Sequence, residues 1–346
     1  MENIDILALT REELAEHLGS LSFPKYRTQQ IFTALHRQLC ADIADITTLS
    51  LADRKKLGET AHVPPVRVAK KLVSSVDGTV KYLFELADGQ FVEGVLMRYR
   101  HGNSVCLSTQ AGCRMGCSFC ASTIAGYKRN LTAGEILGQV YAMTRGSGER
   151  ISNIVLMGIG EPLDNFDNVM AFLQNINSPD GLNISLRHIS LSTCGLVDGI
   201  KRLMEQSLPI TLSVSLHAPY DEMRSSMMPV NRRWGIDELI AVCKEYCGSN
   251  NRRISYEYAM IDGVNDSVDC AARLCELLDG YQTLSHINLI PVNRVEERSY
   301  RAAQSGQIKS FIAVLEKKGF AATVRRHLGG DIDASCGQLR AQEHGK

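Results

Sequence analysis

The sequence predicts an α/β chain: a partial (β/α)6 barrel preceded by an N-terminal helical module and a short antiparallel sheet. Between about residues 104 and 326, β-prone runs (SVCLSTQ, SNIVLMGIG, HISLSTCG, ITLSVSLHA, RRISYEYAM and HINLIPVN) alternate with stretches of helical periodicity. That alternation builds a parallel sheet with helices outside it. Unusual residues fall where those runs end, in STQAGC, GIGEP, STCG, SLHAP and IPVN, the edge at which barrels keep their chemistry. Two Asp-Gly pairs between β-prone runs supply the hairpins of the smaller sheet.

Residues 1–64 read as helical. Thr10 and Glu13 fit a capping box, and Ile31, Phe32 and Leu35 form an apolar stripe beside Lys25, Arg27, His36 and Arg37. Such a module either touches RNA or shows an ordinary solvated face. Residues 65–100 carry Asp77-Gly78 and Asp88-Gly89 among runs such as VKYLFEL and FVEGVLM. Residues 101–326 form the barrel, with a capping box at Thr132–Glu135 and a helix from Ser305. Residues 327–346, rich in Gly and Asp and too short for a domain, read as a mobile tail hinged at Gly329-Gly330 and holding Cys336.

Composition is ordinary for a globular protein, with 44% hydrophobic and 22% charged residues. No apolar run approaches the ~18 residues of a membrane span. The opening MENIDILALTREEL is acidic where a signal peptide is basic, so a cytoplasmic location is expected, with no membrane partner. Eleven cysteines, an odd number, in a reducing compartment argue for metal or thiol chemistry over a disulfide framework. Net charge is zero, so any nucleic-acid contact rests on local patches.

Cys113, Cys117 and Cys120 stand in a C-x3-C-x2-C spacing after the first barrel strand. A structural zinc site wants four ligands, and a 4Fe–4S cluster is normally held by four thiolates. Three thiolates leave one iron open to a small ligand. A zinc loop that recruits a distant fourth ligand is the competing reading.

This motif, the β/α pattern and GEP after the second strand resemble the radical S-adenosylmethionine (SAM) enzymes. The resemblance implies a partial β/α barrel, a 4Fe–4S cluster on Cys113, Cys117 and Cys120, and SAM on the unique iron, cleaved by one electron to a 5′-deoxyadenosyl radical. Across nearly the whole chain, CLSTQAGCRMGCSFCAST, MGIGEPLDNFDNV, SLHAPYDEMRSSMMPVNRR, INLIPVN and DIDASCGQLR resemble the RlmN family of adenine-C2 RNA methyltransferases. That likeness implies methylation of an adenine in 23S ribosomal RNA, and of the adenine beside the tRNA anticodon. It also implies an electron donor such as flavodoxin or ferredoxin, and a monomer.

Carbon-2 of adenine lies between two ring nitrogens and is too electron-poor to attack the methyl of SAM, whereas a carbon radical adds to it. The resemblance assigns the parked methyl to Cys336, the resolving thiol to Cys106 through a transient disulfide with Cys336, and proton acceptance to Glu93. Taken alone, Cys336 is an inert tail thiol, Cys106 a small buried residue and Glu93 a carboxylate on a strand.

SAM-binding groups are expected at strand ends: Gly158, Gly160 and Glu161, then Ser192, Ser215, Leu216, His217 and Asn293. Polar residues at strand ends also simply cap or turn the chain. Cys194 stands where the family pattern leads one to expect serine or another small residue. Cys40, Cys243, Cys247, Cys270 and Cys275 lie in helical stretches and read as packing.

RNA contact is expected from Arg98, Arg100 and His101, Lys128 and Arg129, Arg187 and His188, Arg232 and Arg233 beside Trp234, and Arg325, Arg326 and His327 around the barrel mouth. The reactive base must leave its stack to enter the barrel. Two alternatives stay open. One is the carbon-8 methylating, antibiotic-resistance branch, against which GEP and INLIPVN speak. The other is a non-catalytic iron–sulfur RNA-binding assembly factor, which would not need the Cys106–Cys336 pair.

Overall fold

The computed structural model describes residues 3–340; the first two residues of the helical module and the last six of the tail lie outside it. Strand β1 (Ile4–Asp5) is followed by helices α1 (Arg11–Ser20), α2 (Tyr26–His36) and α3 (Leu51–Gly58), then β2 (Ala61–His62), which pairs parallel with β1. The capping box forms: Glu13 N–H donates to Thr10 Oγ1 at 3.2 Å, and Thr10 N–H to the Glu13 carboxylate at 2.8 Å. Leu14, Leu18, Ile31, Phe32, Leu35 and Leu57 make a core of their own. Polar contacts fix this unit to the barrel. Thr132 Oγ1 donates to Asp5 at 2.6 Å, His36 Nδ1 lies 2.7 Å from the Tyr141 hydroxyl, and the Asn175 amide donates to the carbonyls of Leu7, Ala8 and Leu9.

Strands β3 (Arg67–Val73), β4 (Val80–Glu85), β5 (Phe91–Tyr99) and β6 (Gly102–Cys106) run antiparallel to one another. Both Asp-Gly turns form, with Gly78 and Gly89 at φ +72° and +75°, which only glycine adopts freely. The chain continues through β7 (Gln110–Ala111), β8 (Arg129–Asn130), α4 (Ala133–Ser147), β9 (Ile151–Leu156), α5 (Phe166–Asn177), β10 (Ile189–Thr193), α6 (Val197–Glu205) and β11 (Thr211–Ser215). It closes with α7 (Asp221–Met227), α8 (Ile236–Asn250), β12 (Ile254–Met260), α9 (Val268–Leu277), β13 (Ser285–Pro291), α10 (Ser305–Lys317) and β14 (Ala321–Val324).

One ten-stranded sheet results, in the order β14-β13-β12-β11-β10-β9-β6-β5-β4-β3. It is parallel from β6 through β9 to β14. Two details depart from expectation. The hairpin strands are continuous with the barrel sheet, because β6 pairs with β5 on one side and β9 on the other. A seventh parallel strand, β14, follows the sixth helix-forming stretch; its AATV run is short and mostly exposed, so it carries a weaker apolar signal than the other six. Core strands bury Leu156, Leu191, Leu212, Val214, Tyr256, Tyr258, Ile287 and Leu289 against the helices. Among the described residues no helix is long and apolar enough to cross a membrane.

The expected mobile tail is strapped down through residue 340. Gly329 N–H donates to Asp77 at 2.8 Å, Ser75 N–H and Oγ donate to Asp331, and Lys81 Nζ donates to the Asp333 carbonyl at 3.1 Å. Ala334 and Leu339 pack with Val95, Met97, Cys106 and Ile159. Gly and Asp richness suggested mobility, but these groups meet partners more than 200 residues away in the chain.

Candidate active site

The loop that carries the three cysteines is pinched at its base. β7 and β8 pair antiparallel, Gln110 opposite Asn130 and Ala111 opposite Arg129, so residues 113–128 project as one excursion over the barrel mouth. Cys113, Cys117 and Cys120 line an inner cavity with Gly158, Gly160, Glu161, Ser192, Cys194, Ser215, His217 and Asn293. The strand ends thus bring together nearly every group the sequence nominated for cofactor contact. Burial pushes the Cys113 thiol up to about 12 and raises Cys117 and Cys120 as well, so their thiolate forms need a bound cation.

Glu161 is buried at the start of a 3-10 turn. Its carboxylate accepts from Leu163 N–H at 3.1 Å and Cys194 N–H at 2.7 Å. Burial raises its pKa, against the pull of these two donors. Gly160 has φ +107°, and a Cβ there would sit 2.6 Å from Gln110. His217, at φ +59°, accepts from Ala259 N–H through Nδ1 at 2.9 Å, so the proton resides on Nε2. Burial pulls its pKa down to about 3 and keeps the ring neutral.

Leu216, expected among the SAM-binding groups, does not present its side chain to this cavity. Its side chain is fully buried in the barrel core, its N–H donates to Glu257 O, and its carbonyl accepts from Arg224. Neighbours in an extended run alternate faces, so Ser215 and His217 reach the cavity and Leu216 turns away.

A second, outer basin of about 1100 Å³ adjoins the first. Met157, Ile290, Val292, Asn293, Arg325 and Cys336 line both. Cys336 therefore stands in the wall between the two spaces. Cys106, at the end of β6, lines the outer one. Both are free thiols in this structure. Burial, then proximity to Cys336, pushes Cys106 up to about 12. Asn293 Nδ2 donates to the Cys336 carbonyl at 2.8 Å, so this residue, expected to contact SAM, also holds the tail.

Glu93 lines neither cavity. It is buried, ion-paired with Lys81 at 2.9 Å, and accepts from Arg340 N–H at 2.6 Å. Burial raises its carboxyl, and Lys81 lowers it.

Six arginines line the outer basin, Arg294, Arg298, Arg301, Arg325, Arg326 and Arg340, with His327, against the carboxylates Glu296 and Asp333. Of the nominated basic groups only Arg325, Arg326 and His327 lie here. Arg98 pairs with Glu149, Arg129 with Asp88 and Glu135, and Arg233 with Asp198. The arginines of NRVEERSYR, just past the IPVN strand end, were missed; their position after a chemistry-bearing strand end was the available signal. Gln110, which accepts from Glu161 N–H at 2.9 Å, and Arg224 were missed too.

Three cysteines on one loop facing a cavity ringed by strand-end polar groups, within a partial β/α barrel, define a radical SAM enzyme. A Radical SAM superfamily model matches residues 107–274, and the Ribosomal RNA large subunit methyltransferase N-terminal domain matches residues 4–63. Two relatives named "Probable dual-specificity RNA methyltransferase RlmN" are similar over nearly their full length. The one from Clostridium novyi is 48% identical, covering 97% of each chain, and the one from Alkaliphilus oremlandii is 50% identical, covering 98% of each. The crystal structure of a radical SAM methyltransferase from Sphaerobacter thermophilus superposes with a TM-score of 0.93 at 42% identity, over 98% of this chain and all of that one. The chain belongs to the RlmN family of radical SAM RNA methyltransferases.

Its cofactors are a 4Fe–4S cluster and SAM, and the donor set fits them. Three thiols from one loop line a single cavity together with the strand-end polar groups.

Proposed function

We propose that the chain methylates carbon-2 of an adenine in 23S ribosomal RNA, and of the adenine beside the tRNA anticodon, through a methyl group carried on Cys336. The observation that supports this reading best is the position of Cys336 in the wall shared by the cofactor cavity and the arginine-lined basin. Bound in the inner cavity, the cluster and SAM supply methyl groups and radical-generating one-electron chemistry. Cys113, Cys117 and Cys120 hold the cluster; Gly160, Glu161, Ser192, Ser215, His217 and Asn293 surround SAM.

The basin arginines neutralise phosphates and admit an extruded base. Cys336 carries the methyl carbon to that base as a thioether: one hydrogen atom leaves the methyl group by the radical chemistry, its carbon bonds carbon-2, and the adduct gives up the carbon-2 proton and one electron, which returns to the one-electron chemistry of the site. Cys106 then releases the product. As the Cys106 thiol gives up its proton, its sulfur attacks the Cys336 sulfur, the S–S bond forms, and the bond from that sulfur to carbon breaks. The electron pair goes to carbon, which takes a proton. Thiol exchange resets the pair. Glu93 accepts a proton once the tail lifts Arg340 N–H from its carboxylate.

The same reading assigns residues 1–64 to RNA contact, 65–100 to a connector, 101–326 to the catalytic barrel and 327–346 to the cysteine-bearing tail. It gives a cytoplasmic monomer reduced by flavodoxin or ferredoxin. The test incubates anaerobically reconstituted enzyme with methyl-labelled SAM and either a 23S fragment or tRNA, followed by nucleoside mass spectrometry. Labelled 2-methyladenosine, lost in Cys336→Ala, is expected. Labelled 8-methyladenosine would overturn the product, and no labelled base would overturn the substrate.

A further inference from the structure

Arg224, on α7, is fully buried and has the largest side chain so enclosed. Its Nε donates to Leu216 O at 3.1 Å, Nη2 to Cys194 O at 2.6 Å and Ser215 O at 3.2 Å, and Nη1 to Asn231 Oδ1 at 2.8 Å. Every acceptor is neutral. Among the described residues no carboxylate forms an ion pair with it. Arginine stays charged in proteins, and a buried charge is costly unless it meets a counter-charge.

Cys194, whose carbonyl accepts from Arg224, lines the inner cavity with Cys117, and the cysteine loop is tied to the same helix where Ser118 N–H donates to Met227 O at 2.8 Å. Asp221 Oδ1 is already committed, accepting from Asn231 Nδ2 at 2.8 Å and Ile236 N–H at 2.9 Å. Cys117 is an iron ligand, and both thiols line the inner cavity. The protein thus holds a buried positive charge with no direct ion-pair partner in the wall beside the cysteine loop; Asp221 is reached only through Asn231.

We propose that Arg224 is a positioning residue that ties the ends of β10 and β11 together and supplies the buried counter-charge of the iron–sulfur cluster, making the cluster easier to reduce. This rests on the cluster binding to Cys113, Cys117 and Cys120. The step concerned is transfer of one electron from an external one-electron reductant to the cluster, with no bond made or broken. The reduced cluster is one unit more negative, so a fixed cation in a low-dielectric wall stabilises it more than the oxidised cluster. A purely structural arginine would make the same hydrogen bonds and leave the potential alone.

The test is a redox titration of the cluster, followed by electron paramagnetic resonance with dithionite as reductant, on reconstituted full-length wild type, Arg224→Gln and Arg224→Lys. Arg224→Gln removes the charge, and its potential falls by at least 59 mV, a tenfold change in the reduced-to-oxidised ratio of a one-electron couple. Arg224→Lys keeps the charge and stays within that margin of wild type. Loaded Arg224→Gln at the wild-type potential, or Arg224→Lys falling as far as Arg224→Gln, would overturn the proposal. Should Arg224→Gln not fold, Arg224→Lys decides: a fall of 59 mV or more contradicts the charge role. In addition, the difference in melting temperature between cluster-loaded and iron-free protein narrows in Arg224→Gln, because hydrogen bonds lost from both forms cancel; an unchanged difference overturns the proposal. Wild type that takes up no iron and sulfide would refute the cluster assignment itself, a result distinct from a loaded variant with an unshifted potential.

Discussion

Glu93 accepts a hydrogen bond from Arg340 N–H at 2.6 Å, so a strand of the antiparallel sheet grips the chain four residues beyond Cys336. The other carboxylate oxygen faces Lys81 Nζ at 2.9 Å, with both side chains nearly inaccessible. Glu93→Gln leaves the Lys81 ammonium buried without its counter-ion, and breaking such a pair costs about 3 kcal/mol or more. Urea denaturation should show a lower midpoint, and trypsin should cut after Arg340 faster. An unchanged midpoint would mean that the pair contributes nothing.

Asp77→Ala removes the acceptor of Gly329 N–H at the root of the tail. A lost hydrogen bond of about 1 kcal/mol raises local opening about fivefold. Hydrogen exchange in peptides spanning 328–340 should accelerate by about that factor while the barrel strands stay protected. Uniform acceleration would place the effect on global stability.

RNA affinity should depend on the outer basin and not on the paired surface arginines. Arg301→Ala removes one phosphate contact and lowers the slope of log affinity against log salt by about 0.7 to 0.9. Arg98 is neutralised by Glu149, so Arg98→Ala leaves the slope unchanged. Equal effects from the two would move the RNA off the basin.

His36 is sealed between the helical module and Tyr141, and burial lowers its pKa to about 3 from an ordinary 6.5. Between these values the unfolded chain binds a proton that the folded one does not. Its contribution to stability is therefore complete above about pH 6.5 and declines as pH falls toward 3. Denaturation midpoints followed from pH 7 to 5 should fall less steeply in His36→Phe than in wild type. Identical slopes would show that the loss of stability comes from other groups.

Much of the site was legible because its signals are local. The C-x3-C-x2-C spacing, GIGEP and the strand-end serines each announce themselves within a few residues, and the β/α alternation places them on one edge. Leu216 was nominated as one of a contiguous motif, although the alternation of an extended run already turned it inward. The tail's straps were not legible, since they depend on partners from distant segments, whereas Arg294, Arg298 and Arg301 follow a chemistry-bearing strand end and were passed over; Arg224 was not legible for a different reason. A buried arginine whose partners are mainly backbone carbonyls leaves no pattern in sequence, and a Gly- and Asp-rich tail looks mobile until the donors that meet it are known.

The central claim, that Cys336 carries the methyl carbon from the cofactor cavity to the base, is tested most directly by pulse and chase. Reconstituted enzyme is first treated with methyl-labelled SAM without RNA, then given unlabelled SAM and a 23S fragment for one turnover. Peptide mass spectrometry should find the label on Cys336 after the pulse, and the first methyladenosine formed should carry it. A labelled Cys336 that keeps its label through turnover, or a first product free of label, would contradict the account.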